Sequence, residues 1–404
     1  MSSRHATRSS TSARVIALGG ANWYGQHAAS LLAASNVVAE IVIAGRDVGA
    51  AQRAAAGLGA KAHAARVDVL DEGRLASLAA DADLILNTAG PEWVVVLPAL
   101  REAIAAGVNY CDIGAHGPTT EEALTLDRRA REAGVTAILG AGADPCLSNL
   151  MMVHAAHQLD RTDELTYCIF QVVRQYGDDA RTVLAEWREA DRAEAGWQLM
   201  MKLAAGAARH YRDGGWVDLD PLEDATTVTL PQGHEVTAHP VALPEPITVP
   251  RTLRDVRSVS CVVSFFPPQL NEVYCALGRR IGRGELTESE AALSFFDTVT
   301  SPALDSPAVP AGCESGWVTW VEATGKRRGQ QTRYRCWPVG GWDTTTGALA
   351  AAALTILRGE IRETGVLSPE SCLEPMPFFA EVAKLEGVEP TDGSLLGESA
   401  ETLA

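Results

Sequence analysis

Three glycines lie between a strand-like run and a helix-like run near the start of the chain, in VIALGGANWYGQHAASLL. The register from Gly20 to Gly25 has Asn22 where the dinucleotide fingerprint G-x-G-x-x-G has its second glycine. Those glycines allow a tight turn, close approach of the backbone to a pyrophosphate, and packing of helix on strand. Asparagine tolerates a left-handed backbone best among the other residues, and its amide could donate to a phosphate. We therefore predict a dinucleotide-binding loop, rather than a purely structural turn, comprising Gly19, Gly20, Asn22, Trp23, Tyr24 and Gly25.

The end of the next predicted strand indicates which dinucleotide is bound. An NAD site usually has Asp or Glu about 20 residues after the glycines, where it binds the ribose hydroxyls. This sequence has IAGRD, so that Arg46 follows Gly45 at that spacing. A guanidinium suits the 2′-phosphate of NADP, and the glycine leaves room for it. We predict NADP(H), with Asp47 left either to serve NAD or to pair with Arg46 at the surface.

Polar and small residues also follow the third and fourth predicted strands. Asp68 ends the third strand, where it is expected to border the adenine. The segment after the fourth strand lies at the carboxyl edge, where the nicotinamide is expected. The alternative is an ordinary strand-end turn for these residues, which are Asn87, Thr88, Ala89, Gly90 and Pro91.

The elements that must position these residues alternate regularly from Arg14 to about Leu159. Strand-like runs are RVIALG, EIVIAGR, AHAARVDV, DLILNTA, NYCDIG and TAILGA, with alanine-rich helical runs between them. Such alternation predicts a parallel sheet covered on both faces, the doubly wound α/β fold of Rossmann type. We assign residues 14–159, and a helical return over about 340–386, to this NADP-binding domain.

The pattern changes after Asp160. ELTYCIFQVV, SVSCVVSFF and a hairpin turning at TGKRRG predict strands, and the stretch from Asp178 to about Ala208 predicts helix. We assign residues 160–339 to an inserted α+β substrate domain, whose amphipathic run EAGWQLMMKLAAGAARHY is expected to form core or a homodimer contact. Residues 1–13 and the acidic residues 387–404 are predicted to be disordered tails.

Composition and charge exclude several classes of function. The chain has 404 residues, of which 47% are hydrophobic and 21% charged, and a net charge of −17. That charge argues against nucleic acid or an anionic membrane as a partner. No apolar run reaches the roughly 18 residues of a membrane span, and the basic N-terminus lacks the apolar region of a secretory signal. Eight scattered cysteines, none in a C-x-x-C pair, predict buried thiols in a cytoplasmic protein.

A more specific pattern lies in TAILGAGADPCLSNLMMVHAA. Together with LGGANWYG, NTAGPEW, ALREAIAAGVNYCDIGA and TTTGALAAAALTILRGEIRETGVLSPESCLEPMPFF, it resembles the saccharopine dehydrogenase-like family over nearly all of Arg14 to about Lys384. The resemblance implies a Rossmann domain, an inserted α+β domain and a C-terminal return to the first domain. It also implies nicotinamide chemistry at a carbon–nitrogen bond of a substrate bearing amine and carboxylate groups.

Fold analogy does not fix the substrate, because relatives reduce quite different compounds. The leading hypothesis is an NADP(H)-dependent oxidoreductase that reduces an imine of an amino-acid-derived substrate or oxidises the matching secondary amine. The alternatives are reduction of a C=C or C=O bond on the same scaffold, and a non-catalytic NADP-binding sensor. Two departures bear on this choice: Cys146 replaces the glycine of the family's G-x-D-P-G, and GPEWVV replaces an aromatic-rich turn.

The resemblance places Asp144 at the acidic position of the G-x-D-P motif. As a catalytic group it would meet the substrate nitrogen and help proton transfer; as a structural group it would cap a helix that starts at about Pro145. Ser148 and Asn149 follow in the first turn, where they could bind a substrate carboxylate or only cap the helix. Cys146 has no evident base beside it and is not expected to be a nucleophile.

Other candidates follow predicted strands. Asp112 and His116 follow the fifth strand in YCDIGAHGP, and the histidine could act as an acid or be a structural loop residue. Arg174 and Arg181 could anchor substrate carboxylates or be surface charges. His154 and His157 have helical spacing that can bind metal. Because no third ligand is evident, we expect them on a helix surface and predict no metal site.

Overall fold

The structure is a computed structural model that describes residues 12–173, 177–189, 193–304, 307–313, 316–390 and 393–403. The chain divides into two compact units. The first unit comprises residues up to Ala115, Thr119–Leu150 and Gly340–Leu395. The second unit comprises His116–Pro118, Met151–Val339 and the residues from Leu396 onward.

A seven-stranded parallel sheet forms the first unit, in the order β15-β6-β5-β4-β1-β2-β3. This topology confirms the predicted doubly wound α/β fold. Its apolar runs suit burial on both faces, as parallel sheets require. The strands are β1 (Ala13–Leu18), β2 (Val38–Gly45), β3 (Ala62–Arg66), β4 (Leu84–Asn87), β5 (Asn109–Asp112), β6 (Thr136–Ile138) and β15 (Gly365–Leu367).

Helices connect these strands, and one more returns from the far end of the chain. Helix α13 (Thr345–Leu357) is buried along most of its length, because its alanines allow the close packing that larger side chains would prevent. The others are α1 (Trp23–Ala34), α2 (Val48–Leu58), α3 (Arg74–Leu78), α4 (Glu92–Ala106), α5 (Gly117–Leu124), α6 (Asp127–Ala133), α7 (Leu147–His157) and α14 (Pro375–Leu385). The boundary between the units falls within α7, after Leu150.

A nine-stranded mixed sheet forms the second unit. Its main path is β10-β11-β12-β7-β13-β14-β16, with β8 paired to β12 and β9 paired to β8. Only β12 and β7 pair in parallel; the other pairs are antiparallel. The strands are β7 (Arg161–Val172), β8 (Ala208–Arg212), β9 (Gly215–Leu219), β10 (Thr226–Thr229), β11 (Glu235–Pro240), β12 (Ser258–Phe266), β13 (Trp317–Arg327), β14 (Gln330–Pro338) and β16 (Leu396–Thr402).

The helices of the second unit are α8 (Gly177–Glu189), α9 (Ala195–Leu203), α10 (Glu245–Thr252), α11 (Gln269–Gly282) and α12 (Glu288–Val299). The amphipathic run predicted as core or dimer contact lies in the core. Trp197 of α9 is buried and stacks on Phe295 of α12, with ring centroids 5.5 Å apart. The helical stretch predicted from Asp178 to about Ala208 ends at Leu203, and Ala208 begins β8.

The predicted acidic tail is partly wrong. Its residues Leu396–Thr402 form β16, which pairs antiparallel with β14. The acidic side chains of this strand meet basic partners: Arg333 Nη1 lies 2.6 Å from Glu401 Oε1, and His154 Nε2 lies 2.7 Å from Glu398 Oε1. Composition alone indicated disorder because it does not show that an arginine of β14 and a histidine of α7 pair with these glutamates.

All eight cysteines are free and all but Cys372 are buried, as the sequence predicted. Within the part of the chain that the structure describes, no helix has both the length and the apolar character needed to cross a membrane.

Candidate cofactor site and catalytic edge

The loop after β1 requires glycine at two positions. Gly19 has φ +76°, and a Cβ there would lie 2.5 Å from the backbone nitrogen of Ala89. A Cβ at Gly25 would lie 2.6 Å from the carbonyl oxygen of Gly19. These contacts are the close turn and the close helix–strand packing that the sequence predicted for the loop.

Asn22 does not adopt the left-handed backbone that its residue type suggested. It has φ −81° and ψ 171° and is the N-cap of α1, with its side chain accepting from Gly25 N at 2.7 Å. Its Nδ2 donates to the carbonyl of Thr88 at 2.7 Å. We expected this amide to donate to a phosphate. That expectation is wrong for Asn22 Nδ2, which donates to the backbone at the end of β4 instead.

Two aromatic residues begin α1 at the mouth of the loop. The side chain of Trp23 is 68% exposed. It contacts Tyr24 edge-on, with ring centroids 5.0 Å apart. An exposed indole at a helix N-terminus is placed to report by fluorescence on whatever binds there.

The end of β2 favours a 2′-phosphate over free ribose hydroxyls. Asp47 is the N-cap of α2 and accepts from Ala50 N at 2.9 Å, so one of its oxygens is already used. Arg46 is exposed, and no ion pair joins it to Asp47 among the described residues. A Cβ at Gly45 would meet nothing within 4 Å, so the space beside Arg46 is open. Arg66, an exposed residue that the sequence analysis missed, is the register partner of Gly45 at the end of β3.

Asp68 and the residues after β4 lie at the same edge of the sheet. Asp68 Oδ1 accepts from Leu70 N at 3.1 Å and shapes the turn after β3. Asn87 and Thr88 are buried, and Thr88 Oγ1 donates to Leu18 O at 3.2 Å. Ala89 and Gly90 are partly exposed, so the more open part of this turn is the one facing the loop.

Asp112 is buried at the carboxyl end of β5. Its Oδ1 accepts from Gly114 N at 2.9 Å and from Gly140 N at 2.7 Å. Burial raises the pKa of the Asp112 carboxyl, while the two backbone donors and the Tyr110 hydroxyl lower it. The carboxyl thus ties the turn after β5 to the segment after β6.

The predicted helix start at Pro145 is wrong. Helix α7 begins at Leu147, and Asp144 lies earlier, in a partly exposed turn closed by a bond from Gly142 N to Pro145 O at 2.9 Å. Asp144 is therefore too far from the helix to be its N-cap. The residue before α7 is Cys146, whose φ of 104° is a conformation that favours the glycine it replaces.

Ser148 and Asn149 occupy the first turn of α7, as predicted, but both side chains are fully buried. Asn149 Oδ1 accepts from Cys146 N at 2.9 Å, which supports the capping interpretation. Burial raises the pKa of the Cys146 thiol, so it stays protonated at neutral pH and does not provide a thiolate.

A second carboxylate near this turn was missed by the sequence analysis. Glu370 is buried in a 3-10 helix, Pro369–Ser371, directly after β15. Burial is the main cause of the raised pKa of the Cys146 thiol, and the charge of Glu370 adds to it. The segment GVLSPE, noted only for its resemblance, was the signal available for it.

In the second unit, His116 is a poor candidate acid. Burial and the positive charge of Lys202 lower the pKa of His116 to about 4, while Glu288 opposes that shift. The imidazole is therefore neutral at pH 7 and lacks the acidic proton of the imidazolium form.

The remaining candidates from the sequence lie between residues 154 and 181. Arg181 is exposed on α8, and Arg174 falls outside the described residues. His154 is mostly buried against Glu398 and Tyr334, so its expected place on the helix surface is wrong. Among the described residues, no three His, Cys, Asp or Glu side chains come together as metal ligands.

The amino-acid sequence of the segment that carries the glycine loop, Arg46 and Asp112 matches a known protein family. Residues 15–138 match the family described as the saccharopine dehydrogenase NADP binding domain. The family resemblance and the NADP(H) cofactor predicted from the sequence are thereby confirmed.

Comparisons along the whole chain agree with this NADP binding domain. The chain is 22% identical over 395 residues to carboxyaminopropylagmatine dehydrogenase from Synechocystis sp., covering 91% of this chain and 94% of that one. Its fold resembles apo saccharopine dehydrogenase (L-Glu forming) from Saccharomyces cerevisiae, with a TM-score of 0.63 and 16% identity, covering 96% of this chain and 100% of that one. The relatives are oxidoreductases, which supports an enzyme.

Proposed function

We propose that this protein is an NADPH-dependent oxidoreductase that reduces the imine of an amino-acid-derived substrate, or oxidises the matching secondary amine. The observation that carries the cofactor preference is the end of β2: open space at Gly45, an exposed Arg46, and Asp47 engaged as the cap of α2. A guanidinium there binds a 2′-phosphate with charge-assisted hydrogen bonds, whereas a capping carboxylate offers less to ribose hydroxyls. Arg66 adds a second positive charge at the same strand ends.

The proposed substrate class rests on the relatives and on the acid. Carboxyaminopropylagmatine dehydrogenase is named for a substrate that carries both carboxyl and amino groups. Asp144 is partly exposed at the carboxyl edge of the sheet, where bound NADPH would supply a hydride. In this role the Asp144 carboxyl holds a proton near the substrate nitrogen and passes it on as the carbon–nitrogen bond is reduced.

The remaining proposed binding groups are those that the sequence analysis placed near the substrate. Ser148 and Asn149 and the arginines Arg174 and Arg181 stay our candidates for holding substrate carboxylates. The unpaired cysteines suit a reducing compartment, so we place the enzyme in the cytoplasm, and we expect a homodimer.

The first experiment is titration of the purified protein with NADPH and with NADH, following the tryptophan emission to which Trp23 contributes. We expect NADPH to bind more tightly, and Arg46→Ala to weaken NADPH about 10-fold or more while leaving NADH nearly unchanged. Arg128→Ala is the matched control, because Arg128 is an exposed arginine paired only with Glu132 on α6.

Screening of amine and oxo-acid pairs for NADPH oxidation then tests the reaction. Binding of NADH alone would reassign the β2 end to Asp47. Binding of NADPH with turnover only of carbonyl or alkene compounds would contradict imine reduction. Binding without any turnover would favour the sensor alternative.

A further inference from the structure

Three buried polar side chains join the carboxyl ends of β4 and β5. Asn87, Tyr110 and Asp112 are each no more than 1% exposed. Asn87 Oδ1 accepts from Ala89 N at 3.0 Å, and its Nδ2 donates to Tyr110 Oη at 2.8 Å. The first member of this chain of side chains is therefore fixed to the turn after β4.

Asp112 lies two residues after Tyr110 and is held through one of its two carboxyl oxygens. Its Oδ2 has no hydrogen-bond partner among the described residues, so its side-chain bonds are those of Oδ1. Asp112 Oδ1 holds the backbone N–H groups of Gly114 and Gly140, and its own carbonyl accepts from Ala141 N at 2.6 Å. Loss of the Asp112 carboxyl would leave the buried N–H groups of Gly114 and Gly140 without this acceptor, so the carboxyl fixes both backbone segments.

The segment that Asp112 holds is the one that carries Asp144. Gly140 has φ +63°, and a Cβ there would collide with Pro145, so the two ends of the turn pack directly on each other. Gly142 N donates to Pro145 O at 2.9 Å and closes the turn from the other side. Asp144 lies between these two fixed points, so its position at the sheet edge follows from theirs.

We propose that Asp112 is a positioning residue that sets the place of Asp144 through the two backbone N–H groups that its Oδ1 accepts. The inference rests on the proposed function for the role of Asp144. It assigns no proton transfer to Asp112, whose bonded oxygen already accepts two backbone N–H groups in a site closed to solvent. A displacement of about 1 Å at a reacting group can lower a rate about 100-fold, so precise support of this turn matters to the reaction.

Two substitutions at one position separate positioning from catalysis. Asp112→Ala removes the acceptor for Gly114 and Gly140, and we expect kcat for NADPH-dependent imine reduction to fall about 10-fold or more with NADPH affinity unchanged. Asp112→Asn keeps an acceptor oxygen of the same shape, and we expect it to restore kcat to within about threefold of wild type. Loss of activity in both variants would make Asp112 a proton donor, and full activity in Asp112→Ala would remove any role; either result overturns the proposal.

A second readout needs no substrate. Hydrogen exchange of the peptide covering residues 139–147 should quicken in Asp112→Ala and stay near wild type in Asp112→Asn. The peptide covering α13 is the internal control and should not change in any variant. Unchanged exchange at residues 139–147 in Asp112→Ala would contradict the proposal even if no substrate pair is turned over, whereas failure of the wild type to bind NADPH would contradict only the proposed function.

Discussion

The side-chain amide of Asn22 donates a hydrogen bond to the backbone carbonyl of Thr88 across 2.7 Å, joining the cofactor loop to the end of β4. The same side chain caps α1 through Gly25 N. Asn22 thus replaces the second fingerprint glycine by fixing the loop with two bonds in an extended backbone, not by copying the freedom of glycine.

Replacing Asn22 by glycine tests this role. Asn22→Gly restores the fingerprint but removes both bonds, so we expect the free energy of unfolding in urea to fall by about 1–2 kcal/mol. NADPH affinity should change less than about threefold, because the lost amide donor faces protein. Asn36→Gly, at an exposed asparagine just after α1, is the matched control. A loss of NADPH affinity well beyond the loss in stability would show that Asn22 binds the phosphates after all.

Asp144 is expected to affect turnover without affecting cofactor binding. Asp144→Asn keeps the shape of the side chain but removes its acidity, and we expect kcat to fall about 100-fold or more with unchanged NADPH affinity. Steady-state kinetics with the best amine and oxo-acid pair provide the measurement. Asp81→Asn is the control, since Asp81 is an exposed aspartate elsewhere in the first unit. Unchanged turnover in Asp144→Asn would leave Glu370 as the carboxylate to examine next.

Because Cys146 has a left-handed backbone, we expect glycine to be more stable than alanine there, which is the opposite of the usual order. At most buried positions glycine is less stabilising than alanine, but at a φ of 104° the Cβ of alanine is strained. We expect Cys146→Gly to be more stable than Cys146→Ala by about 1 kcal/mol in urea unfolding. Cys336→Gly and Cys336→Ala, at another buried cysteine within β14, should show the opposite order. If the alanine variant were the more stable one at Cys146 as well as at Cys336, the backbone at Cys146 would not be strained.

Stability of the second unit is expected to fall as pH is lowered. His210 is 1% exposed and its Nε2 lies 3.3 Å from Val241 O; burial lowers its pKa to about 4. An unfolded histidine has a pKa of about 6.5, so between these values only the unfolded chain takes up the proton. This histidine therefore lowers the free energy of unfolding as pH falls from about 6.5 to about 4, by at most about 3 kcal/mol, and has no effect above that window.

Urea unfolding at about pH 7 and about pH 5 measures this dependence. In His210→Gln the number of protons taken up on unfolding should fall by close to one, so the free energy of unfolding depends less on pH. His234→Gln, at an exposed histidine, should keep the wild-type slope. If the slope of His210→Gln matches wild type, the folded protein accommodates a charged His210.

The local sequence pattern was sufficient to predict most strands of the first unit, but it did not predict several helices elsewhere. Each strand from RVIALG to TAILGA was predictable because apolar β-branched runs alternate with alanine-rich ones. The sequence analysis missed α11 and α12, although Thr287 and Glu290 form a capping box whose T-x-x-E spacing was readable. In the Pro-containing segment after GVLSPE, Pro375 begins α14, a position that proline tolerates.

The sequence by itself determined the parallel sheet and the glycine loop with its cofactor class, because periodicity, turn residues and short motifs act over a few neighbouring positions. Only the tertiary structure decided what those residues do. Asn22 meets Thr88, Asp112 meets Gly140, and β16 meets β14 across long stretches of chain that carry no local signal of the pairing. Such partners are chosen by the packing of whole elements, since a buried polar group must find a bond wherever the fold provides one.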